Sequence, residues 1–194
     1  MRRSETTTLR LTVTTVIACI AVALSPGNSA HAADASPASG PLAAVSGTAG
    51  PDPTPSCADI ASVLRSRFHV TRNDSDQIAQ AVLSAASRYA IAPVLLLAII
   101  ATESGFDRQA ISAAGAKGLM QVLPTGHPQV VALNKDLSDP AENVRIGSSI
   151  LRGYLDATQG DLNLALMRYS GGSKGYARRV ALSMRQFAIG LRRG

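Results

Sequence analysis

An unbroken apolar run over residues 94–101 is the feature that most constrains this chain. Pro93 stands directly before the run and suits the first turn of a helix, where its missing N–H is not needed. A helix that is apolar on every side is buried inside a domain. Glu103 follows the run and shares a helix face with Ile99 and Ile100. The sequence therefore predicts a buried central helix with a carboxyl group at its C-terminal end.

The position of Glu103 also predicts a raised pKa. Apolar neighbours disfavour the charged carboxylate by desolvation, and the negative end of the helix dipole disfavours it as well. A carboxyl group that keeps its proton near neutral pH is suited to general acid catalysis. The alternative is that Glu103 only ends the helix and points to water, as most glutamates in such positions do.

The N-terminal segment has the composition of an export signal followed by a linker. Basic residues in 1–10, an apolar run over 11–24 and Ala-His-Ala at 30–32 predict a signal peptide over residues 1–32 and a protein of the periplasm or cell envelope. A lipoprotein attached through Cys19 is less favoured, because the apolar run continues past this residue. Residues 33–56 contain five prolines among Ala, Ser and Gly, which predicts a flexible linker.

Residues 57–194 predict one domain that is mainly α. The chain as a whole has 46% hydrophobic and 16% charged residues, a globular composition. Helix starts are expected after caps at Ser56, at 73–76, at Asp139 with Glu142 closing a capping box, and at Asp161, besides the Pro93 helix and a last helix over 176–191. A small irregular hairpin after Glu103 is the only β structure expected. The histidines lack metal-ligand spacing, so we expect no metal and no cofactor.

Four short motifs follow one another in a fixed order: ESGF at 103–106, GAKGLMQ at 115–121, NVRIGSSIL at 143–151 and YSGG at 169–172. Through these motifs the chain resembles the soluble-type lytic transglycosylases (the SLT domain), which share the goose-type lysozyme-like fold. The resemblance covers roughly residues 85–180. It implies a single lysozyme-like helical domain.

The resemblance also implies a substrate and a reaction. The substrate is the glycan of peptidoglycan, cleaved at the β-1,4 bond from N-acetylmuramic acid to N-acetylglucosamine. Glu103 corresponds to the family glutamate that protonates the glycosidic oxygen and then removes the proton of the C6 hydroxyl, so that a 1,6-anhydro ring closes without water. The residues that correspond to the substrate groove are Ser104, Met120, Gln121, Tyr169, Ser170 and Tyr176. Among them, Tyr169 matches the tyrosine whose hydroxyl lies near the catalytic carboxyl, and Ser170 stands where the family commonly has Asn.

Other functions stay open at the level of the sequence. A hydrolytic lysozyme needs a second carboxylate, which Asp107, Asp136 or Asp139 could supply. A wall-binding or scaffold module that does not turn over is the other alternative, and Met120 and Tyr169 also suit a buried core.

The C-terminal end predicts an anionic partner. After Asp161 the chain has seven basic residues and no acidic one, within a formal net charge of +6. Cell-wall polymer, anionic lipid and nucleic acid all fit such a charge, as does a plain solvated helix face. Nucleic acid is disfavoured because aromatic residues are not interleaved and because export is predicted. We expect a monomer that acts on peptidoglycan strands, with a secretion or conjugation apparatus as a partner by analogy only.

Overall fold

The computed structural model describes residues 54–129 and 136–192, and these residues form a mainly helical domain. The helices are α1 (Cys57–Phe68), α2 (Arg72–Tyr89), α3 (Pro93–Glu103), α4 (Pro140–Ala157), α5 (Leu162–Tyr169) and α6 (Tyr176–Leu191). The predicted signal peptide and most of the predicted linker lie outside the described residues. The prediction of a mainly α fold is confirmed.

The first two helices begin at capped ends, one of them earlier than predicted. Ser56 caps α1 in a reciprocal capping box with Asp59, as expected. The predicted cap within 73–76 is wrong, because Thr71 caps α2 and its side chain accepts a hydrogen bond from the Asp74 N–H at 3.1 Å. A threonine at this position brings Asp74 into the first helical turn, where its charge suits the helix dipole.

Helix α3 is the buried centre of the domain, as the apolar run predicts. Its residues 96–100 have no exposed surface, and the helix packs against both α6 and α2. Residues 95–100 of α3 are all buried, and Glu103 follows them at the C-terminal end of the helix. None of the helices in the described part of the chain is both long and apolar enough to cross a membrane.

The last three helices start and end close to the predicted residues. Asp139 caps α4, accepting a hydrogen bond from the Glu142 N–H at 2.8 Å, with Pro140 in the first position. The Glu142 carboxylate forms an ion pair with Arg145, also at 2.8 Å. Asp161 caps α5, and α6 runs from Tyr176 to Leu191 as predicted.

The loop between α3 and α4 contains the small hairpin that the sequence predicts. Lys117 forms antiparallel bridges with Ile111 and with Val122. Asn143 of α4 holds this loop, because its buried amide accepts from the Met120 N–H at 2.8 Å and donates to the carbonyl oxygens of Lys117 and Leu137. The same amide and the Leu137 carbonyl oxygen leave no room for a Cβ atom on Gly118.

Candidate active site

Two residues far apart in sequence meet where α3 ends and α6 begins. Tyr176, the first residue of α6, is only 4% exposed, and its hydroxyl donates a 2.6 Å hydrogen bond to Glu103 Oε1. The packing of α3 against α6 makes this contact, which joins residues 73 positions apart. Glu103 is therefore held on one carboxyl oxygen by a buried phenol.

The surroundings of Glu103 raise the pKa of its carboxyl to about 7. Burial is the main cause, and the Tyr176 hydrogen bond and the positive charge of Arg179 oppose it. The Arg179 guanidinium lies over the Tyr176 ring, 5.7 Å from its centre. Burial and the nearby Glu103 raise the pKa of Tyr176, so its hydroxyl stays a hydrogen-bond donor. The predicted direction of the Glu103 shift is confirmed.

Tyr169 lines the cleft beside Glu103, and its hydroxyl bonds to the backbone rather than to the carboxyl. Its hydroxyl donates to the Met120 carbonyl oxygen at 2.9 Å, and it thereby fastens the turn before Gln121. Burial first, and then the charge of Glu103, raise the pKa of Tyr169 well above its usual value. The hydroxyl that holds the carboxyl thus belongs to Tyr176, whereas Tyr169 lines the space beside it.

Three residues expected in the substrate groove use their side chains inside the protein instead. Met120 has no exposed surface and packs against α4 at Gly147. The Ser104 hydroxyl donates to the Leu119 carbonyl oxygen at 2.8 Å, and the buried Ser170 hydroxyl donates to the Met167 carbonyl oxygen at 3.1 Å. The Met120 and Ser170 side chains are both covered by the domain core.

Gln121 does line the space beside Glu103, with a left-handed backbone at φ 48°. Its side-chain nitrogen donates to the carbonyl oxygens of Gly118, at 3.0 Å, and Ala110, at 3.2 Å. These two bonds use both N–H groups of the amide.

Glu103 opens into a cleft of about 450 Å³. The cleft is lined by Glu103, Ser112, Ala114, Ala116, Gln121, Val122, Leu123, Thr125, Gly126, His127, Ile150, Tyr154, Arg168, Tyr169 and Gly171. Three of its rings follow one another edge to face, with centres 6.2 Å apart from His127 to Tyr154 and 6.5 Å apart from Tyr154 to Tyr169. Burial lowers the pKa of His127, which keeps its ring neutral at neutral pH.

The sequence motifs assign neither Tyr154 nor Arg168 to this cleft. His127 lies in a turn of the loop before α4. Tyr154 lies within α4 and is half-buried. A signal for Tyr154 was available, since a tyrosine in a helix that buries aliphatic residues often places its hydroxyl at the edge of the core.

Glu103 is the one carboxylate among the described residues that line the cleft. The three aspartates considered as partners lie elsewhere. Asp107 accepts from the Gln109 N–H at 2.8 Å, Asp136 accepts from the Ser138 hydroxyl at 2.7 Å, and Asp139 caps α4. The cleft therefore combines one half-buried acid with aromatic and hydrogen-bonding walls, a surface suited to a sugar chain.

Comparison with known proteins gives a consistent result. The family model described as "Transglycosylase SLT domain" matches residues 80–187. The transglycosylase of Enterobacteria phage PRD1 is 36% identical over 90 residues, which cover 46% of this chain and 33% of that protein. The membrane-bound lytic murein transglycosylase C of Haemophilus influenzae is 43% identical over 88 residues, covering 39% of this chain and 25% of that protein.

Among solved structures, the 70 kDa soluble lytic transglycosylase of Escherichia coli matches 70% of this chain and 26% of its own. The two are 20% identical, with a TM-score of 0.47. The present chain spans a third or less of the length of these curated relatives.

Proposed function

This chain belongs to the transglycosylase SLT-domain family, and we propose that it is a lytic transglycosylase that cleaves the glycan strands of peptidoglycan. The bond cleaved is the β-1,4 bond from N-acetylmuramic acid to N-acetylglucosamine, and the product carries a 1,6-anhydro end. The observation that carries the proposal is the Glu103 carboxyl, held by Tyr176 at the wall of the cleft with a pKa of about 7.

In the proposed mechanism Glu103 acts first as an acid. Because the Tyr176 hydroxyl donates to Oε1, the proton of the neutral carboxyl resides on Oε2. This proton passes to the glycosidic oxygen as the bond from C1 to that oxygen breaks. A carboxyl with a pKa near the ambient pH is half protonated, which suits a group that must give up a proton and regain one.

Glu103 then acts as a base. Its carboxylate takes the proton of the C6 hydroxyl while the C6 oxygen bonds to C1, and the neutral carboxyl is restored. Water takes no part in this sequence. The Tyr176 hydrogen bond stabilises the carboxylate between the two steps and holds it in place.

The composition of the cleft wall supports this scheme over hydrolysis. Hydrolytic glycosidases commonly need two carboxyl groups on opposite sides of the scissile bond. Among the described residues of the cleft wall, Glu103 alone has a carboxyl group. One group that changes role fits this arrangement.

We further propose that the protein is exported to the cell envelope by residues 1–32, with 33–56 as a linker and 57–194 as a monomeric catalytic domain. The composition of the N-terminal segment supports this organisation. Partnership with a secretion or conjugation apparatus has only analogy in its favour.

The test is incubation of the exported protein with purified peptidoglycan sacculi, followed by mass spectrometry of the released fragments. Muropeptides lighter by one water than the hydrolysis product are expected. Hydrated products would identify a lysozyme instead, and failure to release any fragment across a range of pH would favour the wall-binding module.

A matched pair of variants tests the assignment of the acid. Glu103→Gln keeps an acceptor for Tyr176 but has no proton to transfer, so it should release no fragments while remaining folded. Glu142→Gln, on a half-buried ion pair of α4 outside the cleft lining, should retain full activity. Unchanged activity of Glu103→Gln would refute the role of Glu103.

A further inference from the structure

The outward face of α6 has a surface that neither the fold nor the cleft uses. Arg178, Leu182, Arg185 and Ile189 follow at spacings of four, three and four residues, which places them along one side of the helix. Leu182 is 50% exposed and Ile189 is 52% exposed, and both arginines are exposed. These four residues are called the outer stripe below.

The outer stripe lies opposite the side of α6 that packs into the domain. The inward side consists of Tyr176, Val180 and Phe187, all buried. By the helical repeat of 100° per residue, the middle of the stripe is about half a turn from the middle of this buried set. The four side chains therefore contribute nothing to the core.

The charge of the stripe is not offset within the described part of the chain. Helix α6 contains no acidic residue, and neither Arg178 nor Arg185 forms an ion pair with any residue of 54–129 or 136–192. By contrast, the arginines of α4, Arg145 and Arg152, each pair with a carboxylate on their own helix. The outer stripe thus presents uncompensated positive charge beside exposed aliphatic surface.

That combination points to a bilayer rather than to a dissolved polyanion. Guanidinium groups bind lipid phosphates at the headgroup level, while Leu and Ile side chains on the same face enter the acyl boundary. A hydrated anionic polymer would pair with the arginines but would leave Leu182 and Ile189 in water. We propose that the outer stripe of α6 docks this protein onto the surface of an anionic lipid bilayer.

Docking in this way leaves the proposed active site accessible. Tyr176, which contacts Glu103, is on the opposite side of the same helix. The domain would therefore lie between the bilayer and the glycan strand. Lipid binding does not depend on Glu103, so it is tested separately from the enzymatic proposal.

Vesicle sedimentation of the exported protein tests the proposal. Binding is expected to vesicles made of equal parts phosphatidylglycerol and phosphatidylcholine, and not to pure phosphatidylcholine. The double variant Arg178→Gln/Arg185→Gln should lower the partition coefficient about thirtyfold, or about fivefold for each arginine at an anionic surface. Leu182→Ser/Ile189→Ser should lower it about tenfold, because two aliphatic side chains no longer enter the bilayer.

A control with the same net charge separates the stripe from general electrostatic attraction. Arg72→Gln/Arg88→Gln removes two exposed arginines of α2 and should change binding by less than about twofold. All variants should release sacculus fragments at the wild-type rate, which shows that they are folded.

Several results would overturn the proposal. Equal binding to the two kinds of vesicle, an equal loss in the α2 control, or no binding to either vesicle would each do so. Displacement by soluble glycerol phosphate would indicate a single phosphate site rather than a bilayer surface. Binding to sacculi that depends on the stripe, without vesicle binding, would assign this face to the wall.

Discussion

At the scale of single residues, the pKa of the Glu103 carboxyl results from effects of opposite sign. Burial favours the neutral acid, while the Tyr176 hydroxyl and the Arg179 charge favour the carboxylate. The resulting pKa of the folded protein is about 7, higher than that of the unfolded chain. Ionisation of Glu103 therefore lowers the free energy of unfolding.

We predict that Glu103→Gln stabilises the protein in a manner that depends on pH. From pH 4.5 to about 7 the native carboxyl holds a proton that the unfolded chain has released, so the stability of the wild type falls as pH rises. The neutral glutamine avoids this loss. The variant should gain about 3 kcal/mol over the wild type at pH 8 and almost nothing at pH 4.

Urea denaturation at both pH values measures this difference in the free energy of unfolding. A gain of the same size at pH 4 and pH 8 would mean that ionisation of Glu103 is not the cause. Asp107→Asn, which removes an exposed carboxylate of the following loop, serves as the control for the change of charge alone.

Tyr176→Phe tests the hydrogen bond to Glu103. This bond lowers the Glu103 pKa, so its loss should raise the pKa and move the alkaline limb of the kcat/KM profile to higher pH. The maximal rate should fall about tenfold, because the carboxyl is no longer held in register. Tyr169→Phe removes a hydroxyl bonded to the Met120 carbonyl oxygen instead, and it should leave the alkaline limb in place. An unshifted limb in Tyr176→Phe would contradict the assignment.

At the scale of elements, α4 shapes the cleft through the loop that precedes it. The Asn143 amide binds backbone groups on both sides of the turn at 117–120, and Gly147 gives the Met120 side chain a surface to pack on. The Met120 carbonyl oxygen then accepts from Tyr169. Part of the cleft wall therefore depends on the close approach of this loop to one face of α4.

Two glycines of α4 provide a matched test of this approach. A Cβ atom on Gly147 would lie 2.7 Å from both Cβ and Sδ of Met120, whereas one on Gly153 would meet nothing within 4 Å. Gly147→Ala should destabilise the protein by about 1–3 kcal/mol and reduce activity, because the loop must move away. Gly153→Ala should stabilise it by about 0.5–1 kcal/mol through helix propensity alone. Urea denaturation of both variants checks the opposite signs, and a stabilised Gly147→Ala would disprove the close packing.

At the scale of the whole molecule, three phenylalanines join parts of the chain that are distant in sequence. Phe68 of α1 stacks on Phe187 of α6 with ring centres 5.4 Å apart, and Phe106 meets both rings edge to face. The first helix, the loop after Glu103 and the last helix thereby share one cluster. This cluster supports the α6 position that places Tyr176 on Glu103.

Phe187→Ala should accordingly lower the free energy of unfolding by about 3–5 kcal/mol, since it leaves a cavity among the three elements. Leu182→Ala, on the exposed side of the same helix, should change it by less than about 0.5 kcal/mol. Thermal and urea unfolding of the two variants measure the contrast. Similar losses in both would mean that helix propensity, rather than the aromatic cluster, dominates at α6.

Local physics determined much of this protein from the sequence alone. Capping residues such as Ser56 and Asp161 act within one helical turn, so they predict where helices begin. The apolar run before Glu103 predicts both burial of α3 and a raised carboxyl pKa, because a helix without a polar face is buried and the carboxyl at its end loses water with it. The cap of α2 was misplaced because several polar residues follow one another there, and Thr71 satisfies the helix end first.

Only the tertiary structure decided which side chains face the cleft. The resemblance of the motifs favours Tyr169 as the partner of Glu103, whereas the packing of α6 against α3 gives the contact to Tyr176. Met120 turns inward because it packs against Gly147 of α4, which is distant in sequence. Ser170 turns inward because its hydroxyl donates to the Met167 carbonyl oxygen in the preceding turn. The direction of Met120 depends on a long-range contact that no local pattern encodes, since a motif specifies residue types but not the direction in which each side chain points.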